Sequence, residues 1–211
     1  MTTLYPKSVE ALIELFSKFP GVGPRQANRF VLYLLRQNKT LIAPIAELLK
    51  NVEENIGFCS ECFRVMDTSN DNTLCSFCAD EKRDPAFLAV VEKESDMQNI
   101  EKLGTFSGRY HILGGVIQTL DPESPQRLHL KELHSRIAAA LAKTGSAEVL
   151  LATSATTEGD MTALYIERIL APLKTQYQKF RITRLGRGLS SGSELEYADD
   201  QTLRNALANR K

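Results

Sequence analysis

The chain's four cysteines fall in two pairs, Cys59-x2-Cys62 and Cys75-x2-Cys78, with twelve residues between the pairs. A two-residue gap lets both sulfurs of a pair point the same way from a tight turn. Two such knuckles can set four thiolates tetrahedrally around one Zn²⁺. With sulfur in every coordination position there is no room for a bound water, so the expected zinc is structural and not catalytic. The competing chemistry is two disulfides, which belongs to oxidising compartments. The opening Met1-Thr2-Thr3-Leu4-Tyr5-Pro6 has no basic stretch followed by an apolar one. The expectation is therefore a cytoplasmic chain with reduced thiols.

A second constellation suits polyanion binding. Phe19-Pro20-Gly21-Val22-Gly23-Pro24-Arg25 interrupts two stretches with helical apolar spacing. Gly21 and Gly23 permit a tight turn and close backbone approach. Pro24 fits the first turn of a helix, where its missing N–H costs nothing. Amides at that helix start can face a phosphate. At about 100° per residue, Arg25, Arg29 and Arg36 fall within roughly 40° of one another. Ala27, Phe30, Val31 and Leu34 take the opposite side. One face is expected to be buried and the other to offer arginines to the DNA backbone, an affinity without sequence information.

A third set is acidic. Glu92 ends the apolar run Phe87–Val91, and Glu158-Gly159-Asp160 follows another run, Glu148–Ala152. Ligands of open α/β sheets gather at the carboxyl ends of strands. Three carboxylates there can hold Mg²⁺. The spacing resembles the Toprim domain of topoisomerases, primases and small nucleases, in which a Glu and an Asp-x-Asp hold the metal. Here the second motif has Glu158 in the first Asp position, which weakens the case for catalysis. Near a helix start the same acids can also act as simple capping charges. His111, His129 and His134 show no triad or metal spacing, no GxxxxGK[ST] stretch is present, and Gly186-Arg187-Gly188 reads as a turn.

The elements that must position these groups follow from periodicity. Val9, Leu12, Ile13 and Phe16 mark one helix, the Ala27–Leu34 pattern a second, and about Leu41 to Ile56 a third. Residues 57–80 are poor in apolar side chains and read as a small loop-rich module. From 86 to 188 strands and helices alternate. Strands are expected at 87–91, at 111–113 with 116–117, at 148–152 and at 180–185. Helices are expected at 96–103, 125–143 and 161–173. Such alternation implies a mostly parallel sheet covered by helices. A Gly/Ser turn, Glu194–Tyr197 and a short basic helix from about Asp199 close the chain.

The 211 residues are 43% apolar, and no apolar run is long enough to span a bilayer. Net charge is zero but unevenly distributed. Residues 1–50 carry seven Lys/Arg against three Asp/Glu, residues 174–211 carry eight against four, and residues 51–173 carry eleven against nineteen. Basic ends and an acidic centre fit a protein that holds polyanion with one part and meets a partner or a metal with another.

Taken in order, these parts resemble the RecR family over nearly the whole chain. Phe19–Arg25 is similar to its PGxGP hairpin, and Gly108-Arg109-Tyr110-His111-Ile112-Leu113-Gly114-Gly115 to its YHVLGG-type strand. Thr156-Thr157-Glu158-Gly159-Asp160 with Thr162-Ala163 is similar to its T-x-EG[DE]-x-TA signature. Gly188-Leu189 with Glu194–Asp199 is similar to its GLPxGxELEYxD ending. Three places depart from the pattern: a longer gap between knuckles, Pro122-Glu123-Ser124-Pro125 in place of a glycine-rich GIGP, and Ser190-Ser191 in place of Pro-Val.

The resemblance implies four parts: a helix-hairpin-helix domain over 1–56, a four-cysteine zinc finger over 57–80, a Toprim domain over 81–188, and a tail over 189–211 that makes an oligomer contact. It also implies a DNA repair and recombination mediator, a ring-forming clamp, commonly tetrameric, that carries out no reaction itself. Such a clamp works with RecO, and in many bacteria RecF, to help RecA load on single strands coated by single-strand-binding protein. Glu92, Glu158 and Asp160 are then expected to serve RecO association. The alternative is a small Toprim-type, Mg-dependent nuclease or primase-like enzyme.

Overall fold

The computed structural model describes residues 5–37 and 40–210. The opening Met1–Leu4 read above lies outside them. The chain forms two compact units, Met1–Ile56 and Gly57–Lys211.

The first unit is helical: α1 (Lys7–Phe16), α2 (Pro24–Arg36) and α3 (Ile42–Asn55). In α2, Ala27 and Val31 are fully buried. Phe30 departs from expectation. It remains 42% exposed, with its ring edge-on to that of Phe16 at 6.5 Å between centroids. By helical angle it sits on the flank of the apolar stripe, nearer the arginines than Ala27 and Val31 are.

From Ile56 onward, β1 (Ile56–Phe58) pairs with β2 (Val65–Asp67), and the one-turn α4 (Ser76–Ala79) follows. β3 (Asp84–Val91), α5 (Glu94–Glu101), β4 (Gly108–Ile112), α6 (Leu130–Thr144), β5 (Ser146–Ala152), α7 (Thr157–Gln176) and β6 (Lys179–Arg184) follow. The four longer strands form one sheet in the order β4-β3-β5-β6. Every pairing in it is parallel, with Val90 beside His111 on one side and Leu151 on the other. Central parallel strands are buried on both faces. Leu88 and Val90 accordingly join a core with Leu133, Ile137 and Leu141 of α6 and Ile166 and Leu170 of α7. Ala89 and Val91 join Met97 of α5, Tyr110 and the half-buried Phe77. α8 (Asp200–Ala208) closes the chain, with Asp199 capping it through the Thr202 amide at 2.9 Å.

Two expected elements differ. The single helix over 125–143 is divided into a 3₁₀ turn at Ser124–Arg127 and α6. His129 causes the break. Its amide donates to the Leu113 carbonyl at 3.0 Å and its carbonyl lies 2.8 Å from His111 Nε2, so tertiary bonds hold the backbone there. Val116-Ile117 is not strand. Gly114 and Gly115 take φ of +88° and +152°, which ends β4, and the Ile117 amide donates to Thr162 Oγ1 of α7 at 2.9 Å.

Candidate functional site

The cysteine module is built from two turns. In the first, the Cys59 amide donates to the Arg64 carbonyl at 2.8 Å and the Phe63 amide to the Cys59 carbonyl at 3.0 Å. This curls the chain so that Phe63 takes φ of +63°. In the second, the amides of Cys78 and Ala79 donate to the Cys75 carbonyl, opening α4. All four cysteines are buried and none is disulfide-bonded. Their sulfurs lie within 4.8 Å of one another, and Cys62 and Cys75 approach to 3.4 Å. Sulfurs around a tetrahedral zinc at about 2.3 Å stand roughly 3.8 Å apart, so the donor set fits a metal ion of that kind. Among the described residues this is the only group of three or more metal-ligating side chains close enough to share an ion.

The module is fastened to the sheet. Cys62 accepts the amide of Ile112 on the edge strand β4 at 2.9 Å. Phe77, between the second pair of cysteines, is flanked by the guanidinium groups of Arg64 at 4.6 Å and Arg83 at 4.5 Å. Arg64 also pairs with Glu94 at 3.1 Å, and Arg83 pairs with Glu101. Arg136, reaching from α6, bonds the carbonyls of Glu61 and Tyr110 at 3.1 and 2.7 Å. Burial and the Glu101 carboxylate together push the Tyr110 hydroxyl above the usual phenol range.

In the helical unit the α1–α2 turn contains Gly21 with φ of +77°. That left-handed conformation strains any residue with a Cβ. Pro24 opens α2 behind Gly23. The Gly23 carbonyl takes the amides of Gln26 and Ala27, so cationic side chains, and not those two amides, are what this helix start offers an anion. Arg25, Arg29 and Arg36 are all exposed. Beside them a groove lined by Gln26, Arg29, Phe30, Leu32, Tyr33 and Arg36 encloses about 670 Å³. Tyr33, 55% exposed, was not among the candidates. Its helical angle, between the arginines and Phe30, was the available signal.

The three acids are not brought together around a shared space. Glu92 is 7% exposed. Its Oε1 accepts the Ser154 amide at 2.6 Å and its Oε2 the Ser154 hydroxyl at 2.9 Å. Gly159 backs this contact: a Cβ there would stand 2.1 Å from the Ser154 carbonyl. Asp160 accepts from Arg187 Nη1 at 2.9 Å and lies 3.4 Å from Arg184 Nη1. The hydrogen bond from Arg187 holds its carboxyl below the usual carboxylate range. Glu158 is exposed in the first turn of α7. Two of the three acids give oxygens to internal donors, Glu92 to Ser154 and Asp160 to Arg187, and as arranged the three are not grouped within reach of one shared ion. Ser154 and Arg136 carry no signal in the sequence and Arg187 shows there only within a turn, because nothing local marks a residue whose partner lies far along the chain.

No helix among the described residues is long and apolar enough to cross a membrane. Three stretches match known families: residues 9–52 match "RecR, helix-hairpin-helix", residues 87–185 match "Toprim domain", and residues 188–211 match "RecR, C-terminal". The chain is 39% identical over 208 residues to the "Recombination protein RecR" of Acidothermus cellulolyticus, covering 99% of this chain and 98% of that one. It is 40% identical to that of Nocardioides sp. over the same shares, and 41% identical over 202 residues to that of Brucella canis, covering 96% and 94%. With the hairpin, Toprim and C-terminal matches following one another along the chain and these relatives 39–41% identical over nearly their whole length, the chain belongs to the RecR family.

Proposed function

We propose that this chain is a recombination and repair mediator that grips DNA through its helical hairpin and has no turnover of its own. The observation that carries the reading is the exposed stripe of Arg25, Arg29 and Arg36 on a helix entered through the Gly21 turn. Such a stripe binds phosphates whatever the base sequence, with an affinity that falls steeply with salt. The cation we assign to Cys59, Cys62, Cys75 and Cys78 is zinc, one per chain. It would act as a cross-link that fixes the module against β4 and supplies no reactive centre. Assembly of several chains around DNA, commonly as a tetrameric ring, is supported by α3. That helix buries none of its residues and exposes Ile42, Ile45, Leu48, Leu49 and Val52 along one side. The acidic end of the sheet is the surface we assign to RecO, with RecF where it is present. Glu158 would be the exposed contact, and Glu92 and Asp160 would hold the loops around it. By this reading the clamp helps RecA onto single strands coated with single-strand-binding protein, in the cytoplasm.

The test is to incubate the purified protein with labelled single- and double-stranded DNA and Mg²⁺ across a salt series. A mobility shift that fades with salt, with the DNA intact, is the expected result. Cleaved or extended DNA would replace this reading with the nuclease or primase-like one. No shift at low ionic strength from the oligomeric protein would remove the hairpin as a DNA grip. For the partner surface, Glu158→Lys is expected to weaken capture of RecO while leaving the DNA shift unchanged.

A further inference from the structure

Arg136 is the side chain of α6 that reaches the cysteine cluster. Its Nη2 lies 3.5 Å from Cys78 Sγ and 3.2 Å from Glu61 Oε2. Its Nη1 bonds the carbonyls of Glu61 and Tyr110 at 3.1 and 2.7 Å. The side chain is only 15% exposed. Glu61 belongs to the first knuckle, Cys78 to the second, and Tyr110 to the edge strand of the sheet, so one planar guanidinium touches all three. Its fork geometry allows this, where an ammonium acts as a single point charge. Burial makes the charge matter to the sulfur, because a poorly hydrated neighbour is little screened.

Four thiolates around a divalent metal leave the centre net negative, and a buried negative centre gains from a fixed cation. We infer that Arg136 is a positioning residue of the metal centre, one that holds the metal by donating to the Cys78 sulfur and by locking both knuckles to the sheet. Donation to sulfur withdraws electron density from Cys78, which slows its attack on electrophiles. Outer partners of metal ligands govern affinity by roughly 10–100-fold. Arg109 provides an internal control. It also pairs with Glu61, at 3.7 Å, and lines the same cavity of about 430 Å³ as Arg136, but it belongs to β4 and is not hydrogen-bonded to a cysteine sulfur.

The inference rests on zinc filling the cluster, so the zinc content of the full-length wild-type protein is measured first. Absence of the metal would defeat the zinc reading itself. With zinc present, Arg136→Gln, Arg136→Lys and Arg109→Gln are compared by competition with a chromophoric chelator at fixed pH. Zinc-loaded samples are also alkylated with iodoacetamide and each cysteine is followed by mass spectrometry. Arg136→Gln is expected to hold zinc at least about tenfold more weakly and to expose Cys78 to alkylation ahead of Cys59. Arg136→Lys should fall between it and wild type, and Arg109→Gln should stay near wild type in both measurements. Equal zinc loss in Arg136→Gln and Arg109→Gln would reduce Arg136 to a docking residue, and unchanged retention in Arg136→Gln would overturn the inference outright. Should Arg136→Gln not fold, Arg136→Lys carries the test. An unchanged ratio of Cys78 to Cys59 alkylation in that variant overturns it as well.

Discussion

Glu92, at the end of β3, takes two hydrogen bonds from Ser154, just beyond β5: the amide at 2.6 Å and the hydroxyl at 2.9 Å. A carboxylate position that could serve a metal in an open α/β sheet is here a tie between two strand ends. Its removal should therefore read as instability. Glu92→Gln turns one acceptor into a donor facing Ser154 and is expected to cost about 1–3 kcal/mol, seen as a lower midpoint in urea unfolding. Ser154→Ala loses only the hydroxyl and should cost about 1 kcal/mol.

Loss of the arginine stripe should change the salt dependence of binding as well as its strength. The double variant Arg25→Ala with Arg29→Ala is expected to lower the slope of log K against log salt by about 2 on duplex DNA, close to one per phosphate contact. Fluorescence anisotropy over a salt series measures this. An unchanged slope would place the phosphate contacts elsewhere.

Gly21 has open space around its missing Cβ but a φ of +77°, so Gly21→Ala isolates backbone strain from steric clash. The expected cost is about 1–2 kcal/mol, confined to the helical unit. Hydrogen exchange should show faster opening at the α1–α2 turn and unchanged protection in the sheet.

Metal removal should loosen the sheet edge along with the knuckles, because the Cys62 carbonyl accepts from Ile112 and Arg136 bonds the Tyr110 carbonyl. Cys75→Ser or prolonged chelation is expected to raise exchange at β4 amides before those of β5, read by hydrogen exchange with mass spectrometry.

His111 is fully buried, and burial pushes its pKa down to about 4. A base whose folded pKa lies below its unfolded value is held neutral by the fold. Its contribution is complete above about pH 6.5 and is lost as pH falls from there toward 4. The full loss is on the order of 3 kcal/mol, at about 1.4 kcal/mol per unit. His111→Asn should flatten the fall in stability between pH 6.5 and 4.5 relative to wild type. An identical slope in both proteins would show that another group carries it.

Much of the fold was legible because its signals are local. The apolar spacing of α1 and α2, the glycine-proline turn, the CxxC pairs and the runs that became β3, β5 and β6 each lie within a few residues of chain. Reading failed where distant partners decide. The expected helix over 125–143 breaks because His129 is held by Leu113 and His111, and Val116-Ile117 leaves the sheet because Thr162 claims the Ile117 amide.

The same division separates the functional groups. Residue type and spacing alone determined that four sulfurs would converge and that three arginines would share a helix face, since turn geometry and helical pitch carry both results. Only the tertiary structure decided what the acids do. Glu92 meets Ser154 across 62 positions and Asp160 meets Arg187 across 27. A carboxylate's role depends on which donors reach it in space, and short-range pattern contains no record of that distance.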